Sequence, residues 1–417
     1  MTLFLGLDFG TSGARAIAID AEGNIEARAS LPFQTTQALA TVWQNTLFSL
    51  LERLPLSVRK ETEAIAINGT SATVLLCDRN GSPLDTLLYS DARAAAEVAR
   101  IPDIVPSNAV VLSASSSLAK LLWWTHQPFY PEAAYFLHQA DWLGFLLHGQ
   151  LGISDYHNAL KLGYDVENLC YPAGLQQHSA RALLPKILPP GTPVGEVNAA
   201  IAQRLRFPKT CRVCTGTTDS IAAFIASGAT YPGEAVTSLG STLVLKLLSR
   251  TKVDAAEYGI YSHRFGNLWL TGGASNTGGA VLRHYFSDSE LTDISQRINP
   301  QQASPLDYYP LLERGDRFPI NDPNLLPRLE PRPDSEIEFL HGLLESLARI
   351  ETKGYALLQE FGATSLTRVH TAGGGAQNPT WTAIRQRHLC VPVAPSLETE
   401  AAYGTALLAK QSFSAPF

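Results

Sequence analysis

Short apolar runs alternate with stretches of helical spacing from the start of the chain. Leu3–Leu7 and Ala14–Ile19 are apolar runs on either side of a small polar loop, which is typical of a β-hairpin, and Ile25–Ser30 predicts a third strand. Apolar residues then recur every three or four positions from Thr36 to Leu54, which predicts an amphipathic helix, and Ala64–Ile67 predicts a buried strand. This order of elements predicts an α/β sheet with helices on its outside.

The same alternation continues through the rest of the chain. Helical spacing predicts further helices at Ser115–His126, Gln139–Leu147, Glu336–Phe361 and Glu400–Lys410. Residues 212–229 predict a strand, a small polar loop and a helix of small residues, and Val369–Ala372 predicts another strand. Ser154–Asp165 is interpreted as an irregular connection, and the proline-rich residues 300–335 as an ordered surface excursion.

A second hairpin, beginning at Ala235, repeats the first. Leu239–Thr242 follows Phe9–Ser12 by 230 residues in the same strand–loop–strand context, but no acid stands at the position of Asp8. An approximate duplication at half the chain length is expected of two related domains, and 417 residues are too many for one ordinary core. We therefore predict two domains, residues 1–228 joined by the helix at 400–417, and residues 229–399. The small residues of the helices after Asp219 and at 400–410 predict that these helices cross closely, as at a hinge.

Composition and charge limit the partners. Hydrophobic residues make up 45% and charged residues 17% of the chain, which is typical of a soluble globular protein. The formal net charge of −6 argues against nucleic acid or an anionic membrane as a main partner. Five scattered cysteines fit a reducing compartment, and an apolar strand at the start leaves no room for a signal peptide, so we expect a cytoplasmic protein. Cys211 and Cys214 lie in an apolar run, which favours two buried strand cysteines over a redox or zinc site.

The loop of the first hairpin combines an acid, two hydroxyl residues and two glycines within six positions. Small residues allow backbone N–H groups to surround a phosphate. Asp8 would repel that phosphate but can hold Mg²⁺, directly or through water, beside it. A plain hairpin in which Gly10 and Gly13 supply positive φ angles is the alternative explanation.

Two later segments carry candidate chemistry. Gly373–Asn378 follows a strand and opens a helix, so its backbone can approach a flat ligand, with Asn378 bonding a ring edge and Trp381 stacking on a purine. A loop that needs only a flexible backbone is the alternative. Asp219 precedes a helix that is predicted to begin at Ser220, where an aspartate commonly serves as N-cap. The same position keeps the carboxylate ionised and oriented, so that it can accept a proton from an attacking hydroxyl.

Together these motifs resemble the FGGY family of carbohydrate kinases. The matches are D-x-G-T-S at Asp8–Ser12, G-x-x-D ending at Asp219, and G-G-G-x-x-N-P at Gly373–Pro379. The resemblance covers almost the whole chain and implies a two-domain α/β fold of the actin/hexokinase/Hsp70-like (ribonuclease H-like) ATPase superfold, with an interdomain cleft. It also implies that ATP and Mg²⁺ are the cofactors and that a small sugar is the partner.

The resemblance further implies residue roles. The implied catalytic residues are Asp219, as general base, and Asp8, as the metal ligand. The implied sugar contacts are Asp8, Ser12, Ser71, Asp219 and Ser220. The implied nucleotide contacts are Gly10, Thr11, Gly240, Ser241, Thr242, Gly374, Gly375, Asn378 and Trp381. Asp91 and Arg93 resemble a family segment beside the sugar, with an exposed charge pair as the alternative, while Lys120 and Asp155 match architectural positions.

The substrate is implied by residues 68–74, N-G-T-S-A-T-V. This segment resembles ribulokinase-type members more than xylulokinases, and the compact chain is similar to a cyanobacterial and plant D-ribulose kinase group. The resemblance implies ATP-dependent conversion of D-ribulose to D-ribulose 5-phosphate. D-Xylulose or another polyol as the substrate stays open, as does an actin- or Hsp70-like ATPase without sugar-kinase activity.

Overall fold

The structure, a computed structural model, describes residues 1–34, 37–105 and 109–413. The chain divides into two compact units, which we call the first unit (Met1–Ala226 with Glu400–Phe417) and the second unit (Ser227–Thr399). The division lies close to the boundary predicted at residue 228. In the described part of the chain, no helix is both long and apolar enough to span a membrane.

The first unit contains a large mixed sheet and several smaller pairings. Its strands are β1 (Leu3–Phe9), β2 (Gly13–Ile19), β3 (Ile25–Pro32), β4 (Thr62–Gly69), β5 (Val74–Cys77), β6 (Pro83–Leu87), β7 (Tyr135–His138), β8 (Ile153–Asp155), β9 (Lys186–Leu188), β10 (Pro193–Glu196), β11 (Arg212–Cys214) and β12 (Thr217–Thr218). Its α-helices up to residue 226 are α1 (Leu39–Arg53), α2 (Leu56–Glu61), α3 (Ile101–Ile104), α4 (Ser117–Trp124), α5 (Gln139–His148), α6 (Tyr156–Ala159), α7 (Ala173–Gln177), α8 (Ala199–Leu205) and α9 (Asp219–Ala226). The large sheet has the order β10-β11-β4-β1-β2-β3, with β12 paired to β4.

The second unit repeats the hairpin within its own sheet. Its strands are β13 (Glu234–Leu239), β14 (Leu243–Ser249), β15 (Tyr261–Phe265), β16 (Leu268–Ser275), β17 (Arg368–Ala372) and β18 (Val393–Pro395). Its α-helices are α10 (Gly279–Tyr285), α11 (Asp288–Ser295), α12 (Glu336–Glu360) and α13 (Pro379–Leu389), and α14 (Ala401–Gln411) then returns to the first unit. The sheet order is β15-β16-β14-β13-β17-β18, in which β13 and β17 are parallel neighbours.

Most of the predicted elements are confirmed. Helix α1 buries the apolar positions that predicted it, among them Trp43 and Leu47, but it begins at Leu39, and the predicted start at Thr36 lies outside the described residues. The close crossing of small-residue helices is also confirmed. A Cβ added to Gly404 of α14 would lie 1.9 Å from the carbonyl oxygen of Ala222 in α9, so only glycine permits this approach.

Two predictions about irregular segments are wrong in part. Residues 154–165 include the end of β8, helix α6 and a 3-10 turn, because Asp155 accepts the backbone N–H groups of His157 and Asn158 and starts a helical turn. Residues 300–335 are irregular, but they are not confined to the surface, since Tyr308 and Phe318 are buried in the core of the second unit. Burying these aromatic side chains is favourable enough to draw parts of the segment into the core, although its polar and proline-rich residues suggested a surface position.

Candidate active site

Three neighbouring parallel strands of the first unit end at one edge of the sheet. Asp8 of β1 pairs in register with Asn68 of β4, and Asn68 pairs with Thr217 of β12. Asp219 follows β12 directly, so the two predicted carboxylates come from the carboxyl ends of neighbouring strands, where ligands bind in α/β sheets. Within the described residues, the buried Oδ1 of Asn68 and Oγ1 of Thr218 have no hydrogen-bond partner, which leaves polar capacity for a ligand at this edge.

Asp8 is buried although it carries an ionisable group, with only 4% of its surface exposed. The pKa of Asp8 is raised to about 6, mainly by burial and also by the negative charge of Asp219, while Arg15 acts in the opposite direction. The Arg15 Nη1 atom lies 3.4 Å from Asp8 Oδ2, at the far end of the hydrogen-bonding range. Two carboxylates that repel each other at a sheet edge form a site suited to a cation.

We expect Asp8→Asn to stabilise the protein without ligands at pH 8 by about 2–3 kcal/mol. The folded-state pKa of about 6 exceeds the unfolded value, so ionised Asp8 opposes folding fully above pH 6, and this cost fades as pH falls toward 4. Denaturant unfolding at pH 8 and pH 4.5 measures the difference between variant and parent. Asp103→Asn, at an exposed position of the same unit, is the control, and a difference that is equal at both pH values would contradict the expectation.

Asp219 is half-buried and is the first residue of α9. The helix was predicted to begin one residue later, at Ser220. Asp219 still bonds the backbone at the start of the helix, because its Oδ1 accepts the N–H of Ser220 at 2.6 Å. The bond holds the carboxylate in one orientation at the positive end of the helix dipole. Ser220 itself is exposed.

Lys161 and His157 belong to this site and were missed in the sequence. Lys161 lies in the 3-10 turn after α6; burial lowers its pKa, and the negative charge of Asp219 counteracts that shift. His157 Nδ1 lies 2.7 Å from Oγ1 of Thr217, two residues before Asp219. Both residues lie in the segment 154–165, which was interpreted as irregular, so the sequence did not indicate where their side chains point.

The turn between β4 and β5 presents Ser71. Thr70 Oγ1 bonds Thr73 Oγ1 across the turn, the Lys120 ammonium donates to the carbonyl of Ala72 at 2.8 Å, and Ala72 has a φ of +65°. Such a conformation is uncommon for alanine and is held here by these surrounding bonds. Among the described residues, the Ser71 hydroxyl has no hydrogen-bond partner, and the residue is half-exposed.

Asp91 and Arg93 form an ion pair, with Arg93 Nη2 lying 2.8 Å from Asp91 Oδ2. The Arg93 side chain is half-exposed and lies over the Trp123 ring, 5.3 Å from its centroid. The alternative of an exposed charge pair therefore describes what the structure shows, and a contact with sugar stays a prediction.

In the second unit, three glycine-bearing segments meet at the ends of β13 and β17. A Cβ added to Gly373, whose φ is +84°, would lie 2.6 Å from the carbonyl oxygen of Leu239, so the loops after the two strands touch through their backbones. Gly279 N donates to Gly240 O at 2.9 Å, and Arg283 Nη2 donates to Ser241 Oγ at 3.1 Å. The segment of Gly278, Gly279 and Arg283 was missed in the sequence, although its double glycine opens a helix as the predicted Gly373 loop does.

Three glycines stand out because the fold does not require them. Gly10, Gly240 and Gly374 have no positive φ, and a Cβ added to any of them would meet no atom closer than 3.6 Å. Every other glycine for which the described part gives these contacts has either a positive φ or a neighbour within 3.3 Å. The alternative that Gly10 and Gly13 supply positive φ angles to a plain hairpin is wrong, because neither residue has a positive φ. Gly13 is needed for another reason: a Cβ there would lie 2.5 Å from the carbonyl oxygen of Leu31 in β3. One glycine in each predicted phosphate or nucleotide loop leaves open space where a ligand's phosphates could approach the backbone.

One predicted nucleotide contact, Trp381, needs correction, and Asn378 has a structural role beside its predicted one. Trp381 is 2% exposed and packs under Gly375, where an added Cβ would lie 2.6 Å from the indole ring, so no purine can stack on it in this arrangement. Asn378 is the N-cap of α13, with Oδ1 accepting the N–H of Trp381 and Nδ2 donating to Ser295 Oγ at 2.8 Å. Both side chains therefore support the glycine loop from below.

A cavity of about 580 Å³ adjoins this loop within the second unit. Its lining includes Ala376 and Gln377 of the loop and Ala383 and Gln386 of α13. The size is that of a small-molecule site, and amide side chains between small apolar ones suit a flat base with hydrogen-bonding edges. This lining replaces Trp381 as the candidate contact for adenine.

The residues present fit a Mg²⁺ ion that is shared with a nucleotide. No group of three or more metal-ligating side chains occurs in the described ranges, as a cage built of protein alone would need. Mg²⁺ bound to nucleotides commonly has one or two carboxylate ligands, and phosphates and waters supply the rest. The buried, electrostatically strained carboxylate of Asp8 is suited to that role.

Comparison with known proteins finds similar kinases. The chain is 25% identical to autoinducer-2 kinase of Yersinia pestis (strain Pestoides F), a match that covers 97% of this chain and 85% of that protein. Among solved structures, xylulose kinase from Rhodospirillum rubrum is similar with a TM-score of 0.84 and 23% identity, covering 99% of this chain and 90% of that one. Glycerol kinase from Plasmodium falciparum, solved with ADP, is similar with a TM-score of 0.84 and 18% identity, covering 99% and 90%.

The fold is that of the two-domain actin/hexokinase-like kinases, as predicted. The N-terminal domain of the FGGY family of carbohydrate kinases matches residues 3–226, and the chain belongs to this family. It is accordingly an ATP-dependent sugar phosphotransferase, which confirms the predicted enzyme class.

Proposed function

We propose that the protein phosphorylates D-ribulose to D-ribulose 5-phosphate, with Asp219 as the general base. The observation that best supports a phosphate-binding site is that Gly10, Gly240 and Gly374, one in each predicted loop, have open space where a side chain would be. The choice of D-ribulose is supported by the resemblance of residues 68–74 to ribulokinase-type members, and by the half-exposed Ser71 in the turn to which Lys120 bonds.

The first unit prepares the acceptor. The C5 hydroxyl of the sugar attacks the γ-phosphorus of ATP, an O–P bond forms, the bond to the β–γ bridging oxygen breaks, and ADP leaves. The hydroxyl proton passes to the Asp219 carboxylate, which the Ser220 N–H orients. Ser12 and Ser71 bond other sugar hydroxyls, and Lys161 supplies positive charge near the base.

The second unit holds the nucleotide. Backbone groups of Gly240–Thr242 and Gly373–Gly375 surround the phosphates. The adenine occupies the cavity beside Gln377. Asp8 would hold Mg²⁺, directly or through water, and the bound ion would supply positive charge to the phosphates.

We expect Ser71→Ala to lower kcat/KM for the preferred sugar by roughly 10-fold to 100-fold and to narrow the preference between D-ribulose and D-xylulose. The two ketoses differ at C3, and a site that bonds one hydroxyl orientation leaves a buried group unpaired with the other. Steady-state kinetics with both sugars measure the change. Ser90→Ala, at an exposed position in the same unit, is the control.

A substrate panel tests the proposal as a whole. ATP consumption is measured with D-ribulose, D-xylulose, glycerol and autoinducer-2, the last three taken from the names of the similar proteins. D-Ribulose is expected to give the highest kcat/KM. If D-xylulose is turned over faster, the substrate assignment moves to that sugar, and an absence of sugar-stimulated ATP use would overturn the assigned reaction.

A further inference from the structure

A buried ion pair lies beneath the two glycine loops of the second unit. Glu351 of α12 and Arg385 of α13 are 1% and 0% exposed. Arg385 donates from Nε to Glu351 Oε2 at 2.6 Å and from Nη2 to Oε1 at 2.7 Å, which is the two-pronged geometry that only arginine provides.

The pair bonds to both strands that lead into the loops. Arg385 Nη1 donates to Thr371 Oγ1 of β17 at 2.8 Å, and Thr237 Oγ1 of β13 donates to Glu351 Oε1. Thr237 and Thr371 are direct partners in the parallel register, so their hydroxyls lie on the same face of the sheet. Tyr355 OH completes the cluster at 2.8 Å from Thr237 Oγ1. One buried cluster therefore joins β13, β17, α12 and α13.

Stability does not explain why charges occupy this position. Burying two ions removes their hydration, and replacing a buried ion pair by apolar side chains of similar size is often neutral or stabilising. A buried pair differs from an apolar contact in its sensitivity to displacement, because a small shift leaves a charge without its partner. The cluster therefore resists sliding of either strand or of α13.

The loops above the cluster leave no room for such sliding. Gly240 follows Thr237 by three residues and Gly373 follows Thr371 by two, and the backbones of the loops meet at Gly373 and Leu239. The other end of α13 carries the Asn378 cap that closes the second loop. A shift of one strand would change the spacing of all the N–H groups that face the phosphates.

We propose that Glu351 and Arg385 are positioning residues for the nucleotide. They hold β13 and β17 in register and thereby fix the position of the Gly240–Thr242 loop relative to the Gly373–Gly375 loop. The proposal rests on the proposed function, in which these loops hold the phosphates of ATP. Neither residue touches a substrate in this role.

The test is the double variant Glu351→Leu/Arg385→Met, since single removal would leave one buried charge unpaired and strongly destabilise the unit. The expected result is a melting temperature within a few degrees of the parent, kcat/KM for ATP lowered roughly 10-fold to 100-fold, and an unchanged KM for the sugar. Arg332→Met/Glu336→Leu removes an exposed pair of the same kind, bonded at 2.9 Å in the same unit, and serves as control.

Hydrogen exchange provides a readout that does not depend on activity. Backbone amides of residues 239–242 and 373–377 should exchange severalfold faster in the double variant, whereas those of residues 9–13 should not. A folded double variant with unchanged exchange in these loops, or one that loses sugar and ATP affinity equally, would overturn the positioning role.

Arg385→Lys tests the positioning role if the double variant does not fold. Lysine keeps the charge beside Glu351 but cannot bond Glu351 twice and Thr371 at once, so the same loops should loosen and only the ATP parameters should change. Unchanged values in this variant would also overturn the proposal. A parent protein that uses no ATP with any sugar would refute the proposed function, while the exchange measurement would still decide the role of the pair.

Discussion

Asp219→Asn is expected to lower kcat by roughly 10²–10⁴ while leaving the fold intact, which is the usual contribution of a positioned general base. Asparagine keeps the side-chain oxygen that accepts the Ser220 N–H, so α9 retains its start. It cannot accept the proton of the attacking hydroxyl. Sugar binding should weaken much less than turnover, because ground-state contacts remain.

The control for this variant is Asp288→Asn, which makes the same change at the first residue of another eight-residue helix, α11. Its effect on kcat should stay within a few-fold, since it changes only the charge at a helix start. Turnover and melting temperature are measured for both variants. An Asp219→Asn enzyme whose kcat lies near that of the parent would show that Asp219 serves only to start the helix.

Asp8→Ala is expected to lower kcat by roughly 10²–10³ and to raise the Mg²⁺ concentration needed for half-maximal turnover. Removing the buried carboxylate leaves the ion with only phosphate and water ligands near the acceptor. Nucleotide affinity should change little, because the base and most phosphate contacts are assigned to the second unit. Kinetics over a Mg²⁺ series, together with calorimetric ATP binding, separate the two effects.

Ala383→Trp is the matched comparison for that division of roles. Ala383 lines the cavity beside the glycine loop, and an indole there would fill the space assigned to adenine. We expect a KM for ATP raised by roughly 10-fold or more with an unchanged Mg²⁺ requirement. Equal loss of ATP binding in Asp8→Ala and Ala383→Trp would contradict the assignment.

The sequence motifs predicted the positions of the loops better than the roles of single side chains. Short-range patterns such as D-x-G-T-S and G-G-G-x-x-N-P specify strand–loop–strand or strand–loop–helix geometry, and Gly10, Gly240 and Gly374 all lie where a ligand could approach. Trp381 was misassigned because helical spacing does not tell which face of α13 packs inward. In the structure that face carries Trp381 into the core.

Contacts between distant segments were beyond sequence reasoning. Glu351 and Arg385 are 34 residues apart on different helices, and nothing in their neighbours along the chain indicates a pair. Lys161 was missed for a related reason, since its turn gains its shape only when Asp155 caps α6. Such residues become visible once tertiary packing fixes their direction.

The return of α14 to the first unit has a consequence for how the protein is made. Gly6 of β1 lies so close to α14 that an added Cβ would be 2.1 Å from the carbonyl oxygen of Ala402, and Thr405 accepts a hydrogen bond from Asn68 at 2.6 Å. During synthesis, residues 1–226 leave the ribosome roughly 10 to 35 seconds before α14 is made. For that interval the apolar face that α14 covers is open to water, so the nascent first unit is expected to need protection from aggregation until the whole second unit has been translated.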